Sequence, residues 1–153
     1  MIPEAEAAAG QWREVTSELT SLAARMPPDR WDAPSSCGAW SNKELLAHLA
    51  TGYVVRIVWL EAALAGRAAV VPGDIDAVNE RNVAGWRPAP IEAIVAEMLA
   101  TRARILQLLE QLEAQQLKVE FDRDGRVVRL GDVLATFSVH DREHAAQLVE
   151  ALA

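Results

Sequence analysis

"SNKELLAHLATGYVVRIVWLEAALAG", residues 41–66, is apolar from residue 45 to 66, a length that would cross a bilayer, so its reading decides the fold. Arg56 and Glu61 would both lie well inside such a span, at roughly 2–3 kcal/mol apiece on insertion scales. A helix enclosed by other helices explains the run better. Its start carries a capping box, with Ser41 as N-cap and Glu44 reaching back from the third helical position. Gly66 suits the residue that closes a helix. Leu45, His48, Gly52, Val55 and Trp59 recur at spacings of three and four, which is one helix face. The segment is therefore predicted to be the second helix of a soluble bundle, with no membrane as partner.

The remaining periodicity supplies three more long helices. Trp12, Val15, Leu19, Leu22 and Met26 mark the buried face of the first, and Pro27 and Pro28 stop it. Residues 68–90 are mixed, with Asp74 placed to cap a short helix ending near Gly85. Pro90 sits at the first turn of the third long helix. Ile91, Ile94, Val95, Met98, Arg102, Ile105, Leu109 and Leu112 trace its seam, with Arg102 the one charged interruption. After Leu117 the period changes: "KVEFDRDGRVVRL", residues 118–130, predicts two short extended pieces around a turn closed by Gly125. A flap this short must rest on the helices. The fourth helix is predicted to start near Leu130–Gly131 and to run almost to the end. The fold class is all-α: a four-helix bundle with a short helix between helices 2 and 3 and a small β-hairpin-like flap before helix 4, forming a single domain over residues 1–153.

Composition agrees. The chain is 51% hydrophobic but only 5% aromatic, which suits packed helices better than a sandwich. A formal charge of −7 and the lack of any Lys/Arg cluster argue against nucleic acid as a partner. Cys37 is the one cysteine, which excludes an intrachain disulfide framework and a Cys-based zinc motif, and a reduced cytoplasmic setting fits. The N-terminal "MIPEAEAAAGQW" has acids where a signal peptide would have bases.

The three histidines carry the chemistry. His140 and His144 lie four residues apart in "FSVHDREHAAQL", on the stripe Val133, Phe137, His140, His144, Leu148. Residues four apart on a helix are neighbours, with Cβ atoms about 5–6 Å apart, so two imidazoles there can reach one metal ion. His48 lies on the apolar seam of the second helix, and Gly52, one turn on, removes a side chain where a pocket needs space. The competing reading is three core imidazoles, each bonded to a carbonyl or carboxylate. Several inward imidazoles without partners cost desolvation, and a shared divalent ion satisfies all three.

The order of "GAWSNKELLAHL", "DAVNERNVAGW" and "SVHDREHAAQL" resembles the DinB/YfiT-like superfamily. It looks closest to the metal-binding domain of mycothiol-dependent maleylpyruvate isomerases, over nearly the whole chain. That resemblance implies a four-helix bundle holding one divalent ion, with one ligand from the second helix and two from the fourth. By position the ligands are His48, His140 and His144. The middle ligand of the isomerases can be a carboxylate, so this is a three-histidine variant. The isomerases also carry a second, C-terminal domain that contributes to activity, whereas this sequence ends at Ala153. The resemblance further implies a low-molecular-weight thiol of the mycothiol or bacillithiol type, a small electrophilic substrate and a homodimer. Zinc is the first expectation for the ion, with nickel or iron as alternatives.

Other residues are open to two readings. Asp141 and Glu143 flank His140 and can accept the outer N–H of a liganding imidazole, or they form a solvated face tied to Arg142 or another basic side chain. Arg56 faces an anionic substrate or snorkels at a bundle edge. Arg102 and Asn79 are further candidates for substrate recognition; Trp40, Trp59 and Trp86 wall a pocket or fill the core; Cys37 is a bystander in a Ser-rich loop. Function is expected to be metal-dependent thiol S-transfer or isomerisation. The alternatives are a metal-dependent hydrolase and a non-catalytic, stress-associated or small-ligand-binding bundle.

Overall fold

Two prolines bracket the first helix in the computed structural model, which describes residues 1–69, 74–123 and 125–153. Helix α1, Pro3–Arg25, has Pro3 in its first turn, and Trp12, Val15, Leu19 and Leu22 are buried on one face as their spacing predicts. A short turn and loop lead back to the bundle, held by Asn42 Nδ2 donating to the Arg30 carbonyl at 2.8 Å. The predicted capping box is present: the Glu44 N–H donates to Ser41 Oγ at 3.2 Å, and the Ser41 N–H donates to Glu44 Oε2 at 2.8 Å. It opens α2, Asn42–Thr51.

The second helix is not continuous, as the sequence reading had it. Gly52 and Tyr53 separate α2 from α3, Val54–Leu64, and Gly66 closes the pair at φ +69°. Glycine is a weak helix former, and at this position a Cβ would lie 2.9 Å from the His48 carbonyl and 3.2 Å from its ring. Tyr53 is fully buried, edge-on to Trp12 at 4.5 Å. Asn42–Leu64 has the length and mean hydropathy (1.3) of a membrane span, but 61% of its most apolar window is buried inside the protein. The run is apolar because it is a core helix.

Residues 70–73, in the stretch read as mixed, fall outside the described residues. Asp74 caps α4, Ile75–Trp86, by accepting from the Ala77 N–H at 3.1 Å. Pro90 precedes α5, Ile91–Glu110, whose seam residues Ile94, Met98, Arg102, Ile105 and Leu109 are buried. The flap is an antiparallel hairpin of β1, Glu120–Arg123, and β2, Arg126–Arg129, with Phe121 opposite Val128. Gly125 takes φ +77° in its turn. The flap rests on the bundle through Phe121, which stacks on Trp59 at 5.5 Å.

The fourth helix is also broken, again against expectation: α6, Leu130–Ala135, and α7, Val139–Glu150, flank a turn. Neither glycine nor proline makes this break. The Thr136 amide and hydroxyl both donate to the Val133 carbonyl, at 3.2 and 3.3 Å, so bonding tightens by one residue and the α ladder stops. Helix α1 packs on α5, α6 and α7, while α2 packs on α4, α5 and α7. The described residues thus form a four-helix bundle with two interrupted members.

Arg102 is the charged interruption in the α5 seam, and it is 2% exposed. Its guanidinium pairs with Asp141, itself fully buried, lies 4.4 Å over the Trp12 ring and donates to Thr16 Oγ1 at 3.0 Å. Removing one member of such a pair strands a charge, at about 3–5 kcal/mol, whereas replacing both with apolar groups is often neutral. Arg102→Met is therefore expected to lose about 3–5 kcal/mol in urea denaturation. The double variant Arg102→Met/Asp141→Leu should recover most of it.

Candidate metal centre

His48 comes from the last turns of α2, and His140 and His144 from successive turns of α7. The Nε2 atoms of His48 and His144 each lie 3.1 Å from Nε2 of His140. One ligand atom from each ring falls within 4.8 Å of the others. Nitrogens at 2.0–2.1 Å from a tetrahedral ion are about 3.3 Å apart, so the spacing fits one shared ion. The rings meet near right angles, His140 to His144 at 89° and His48 to His144 at 90°. Their nitrogens converge while their faces do not stack.

The outer nitrogens of His144 and His140 face polar neighbours. His144 Nδ1 is 2.6 Å from Gln147 Oε1, so this nitrogen donates and Nε2 keeps its lone pair. His140 Nδ1 is 3.4 Å from the Tyr53 hydroxyl and 3.5 Å from Asp141 Oδ1. Burial alone would push the Asp141 carboxyl upward. A guanidinium does not give up its proton in a protein, and contact with Arg102 holds Asp141 as the carboxylate. The ring of His48 packs against Trp40 at 4.7 Å, and its buried Nδ1 has no hydrogen-bond partner. Gly52 makes room for that ring.

Desolvation governs the charge of these rings. Burial first, then the nearby His144 and Arg56, lowers His48 to about 4. His140 falls to about 3, again through burial first, then through His144, His48 and the arginines. Both rings are neutral near pH 7, the state that offers a lone pair to a metal.

A cavity of about 200 Å³ adjoins the cluster, lined by His48 and His140 together with Val55, Trp59 and Val133. Of the residues singled out from sequence, Arg56 and Asn79 line it. Trp59 lines it while also belonging to the core, and Trp86 is half-buried against the core. Two candidates lie away from the cavity lining. Arg102 is taken up by Asp141 inside the bundle, and Glu143 is exposed, the solvated-face reading of the two. Asp141 is the flanking acid that reaches His140, and its basic partner is Arg102, not Arg142, which pairs with Glu14. Cys37 is tied to Ser35 at 2.9 Å in its loop. Sequence reasoning missed Tyr53, Gln147 and Arg123. Gln147 lies three residues after His144 on the same helix, a spacing that places it in reach.

The signature of the DinB superfamily matches residues 11–148. No curated protein sequence matches the chain. Among solved structures the chain is similar to YfiT from Bacillus subtilis, described as a probable metal-dependent hydrolase with an unusual four-helix bundle topology. The TM-score is 0.82 at 22% identity, over 99% of this chain and 87% of that one. It is also similar to a mycothiol-dependent maleylpyruvate isomerase, with a TM-score of 0.80 at 18% identity, over 96% of this chain. That match spans 61% of the isomerase chain. These are likenesses of fold.

The depressed imidazoles give the protein a signed pH dependence. An unfolded chain takes up these protons below about pH 6.5, whereas the folded rings resist until about 4 and about 3. Their contribution to stability is therefore complete above pH 6.5 and lost progressively as pH falls toward those values. Chelator-treated protein should melt at steadily lower temperature below about pH 6.5, and His48→Gln should flatten part of the slope. Scanning fluorimetry across that range checks it.

Proposed function

The chain belongs to the DinB superfamily, and from that premise we propose a metal-dependent enzyme whose single domain covers residues 1–153 and in which His48, His140 and His144 hold one divalent transition-metal ion. The observation that carries this reading is the convergence of three imidazole nitrogens, two of whose rings line a cavity. A divalent ion held there would supply Lewis-acid activation of a small thiol or water and polarisation of an electrophile. Three protein ligands leave at least one exchangeable position, the mark of a catalytic rather than a structural site. The chain's own groups do the rest. Gln147 and Tyr53 orient the His144 and His140 rings, Asp141 lies beside His140, and Trp40 packs against His48.

Thiol-dependent S-transfer or isomerisation is the first reading, with a low-molecular-weight thiol and a small electrophile as partners. Zinc suits both the imidazole ligands and a soft sulfur donor. Hydrolysis is the second reading. It is favoured by the near full-length match to YfiT, described as a probable metal-dependent hydrolase. We extend the proposal to a cytoplasmic homodimer: a lone cysteine suits a reducing compartment, and light scattering giving a monomer mass would dismiss the dimer.

Elemental analysis of untagged protein should find about one transition ion per chain, and His144→Ala should lose it. An ion that binds only the folded chain adds about 4 kcal/mol at a thousandfold excess over Kd, so chelation should lower the melting temperature. The cobalt-substituted protein should develop a sulfur-to-metal charge-transfer band on addition of mycothiol, bacillithiol or a simple analogue. A saturating thiol series without that band, on protein shown to hold cobalt, moves the assignment to hydrolysis.

A further inference from the structure

The protein carries a charge of −7, yet its cavity is cationic. Arg56 and Arg123 line it together with Asn79 and Thr136, and no Asp or Glu is among its described lining residues. Among the described residues neither arginine has a carboxylate within ion-pair distance, whereas Arg87, Arg102, Arg104, Arg129 and Arg142 all do. Arg56 is also the better held of the two. Its guanidinium lies over the Tyr53 ring at 4.3 Å and within 5.5 Å of Phe137. Stacking occupies the flat face of a guanidinium and leaves its N–H edge free, a fork that matches a carboxylate. Arg123 reaches the same cavity from β1, with its guanidinium 6.0 Å from the Trp59 ring.

We propose that Arg56, supported by Arg123, forms an anion subsite in this cavity, and that the substrate is a small organic acid whose carboxylate is held there while its reacting end faces the histidines. The inference rests on the reading above for the reaction but not for the binding. Size limits the acid: a cavity of about 150 Å³ admits a benzene ring, and this one, at about 200 Å³, has room for a ring or short chain bearing one carboxylate. The apolar lining of Val55, Trp59, Ile75 and Val133 also works in the subsite's favour. Low-dielectric walls focus the arginine field, so an anion is drawn into a protein whose surface repels it.

Benzoate and its neutral isostere benzamide test this by calorimetric titration into the full chain, in zinc-loaded and chelator-treated forms. A charged hydrogen-bonded contact predicts benzoate binding at least about tenfold more tightly than benzamide in both forms. Arg56→Met should erase that preference, leave benzamide unchanged and keep the zinc stoichiometry of the parent. Arg123→Met, on the flap, should weaken benzoate by about threefold and serves if the Arg56 variant fails to fold. Equal affinity for acid and amide, no benzoate binding at about 10 mM, or benzoate binding unchanged in both variants would overturn the proposal. Benzoate that binds only zinc-loaded protein and ignores Arg56 is a metal ligand, which also overturns it. A preference that survives in protein unable to hold zinc leaves the subsite standing and removes the metal reading.

Discussion

The ion pair between Arg102 and Asp141 fixes the bundle and the histidine cluster together. Asp141 is the residue next to His140, and its fully buried carboxylate is held by Arg102 from the middle of α5. Arg102 is in turn clamped by Trp12 and Thr16 of α1. Three helices therefore agree on one rotation of α7. Turning that helix by a single residue would strand two buried charges, an error of several kcal/mol in a molecule whose whole stability is about 5–15 kcal/mol. That rotation aims His140 and His144 at His48. Specificity of packing and geometry of the site are one constraint.

The two helix interruptions serve the same end. Gly52 breaks the second helix and Thr136 lies in the break of the fourth, and both residues line the cavity. Two uninterrupted helices packed at ordinary distance would interdigitate side chains along their length and leave no room for a ligand. Here each helix turns aside at the same level of the bundle. Tyr53 and Phe137, at the two breaks, then fold inward onto Trp12, so the core closes on one side of the gap while the other side stays open.

The bundle and the histidine cluster were legible because they depend on local period. The α1 and α5 seams, the Ser41 capping box, the Asp74 cap and the inward face of all three histidines follow from spacings of three and four. What was illegible depends on partners far apart in sequence. The break at residues 136–138 contains no glycine or proline, and it arises from threonine back-bonding together with the burial of Phe137. Arg102 looked available for a ligand because nothing local names Asp141, 39 residues away, as its partner. Arg123 reads as one polar residue in a flap, and only the docking of Phe121 on Trp59 brings that flap over the cavity.

Arg56 and Arg102 illustrate how the same side chain acquires different roles. Both stack on aromatic rings, and burial pushes both below the ordinary guanidinium value, Arg56 to about 10 and Arg102 to about 9. Each thus bears a desolvation cost that folding must offset. For Arg102 the offset is internal, because Asp141 neutralises it within the core. Its field is cancelled a short distance away, which makes it a structural group. The described residues give Arg56 no such carboxylate; the charge that acts on it is Arg123, which adds to its field, while the neutral His48 and His140 rings leave it intact. An arginine kept half-buried against aromatic rings, next to another cation and beside an open cavity, has no carboxylate among the described residues to neutralise it, so an anion entering the cavity would meet an uncompensated charge. A chain of net charge −7 had acidic residues enough to place there; among the described residues the cavity wall carries none, and the arginine field points at the opening.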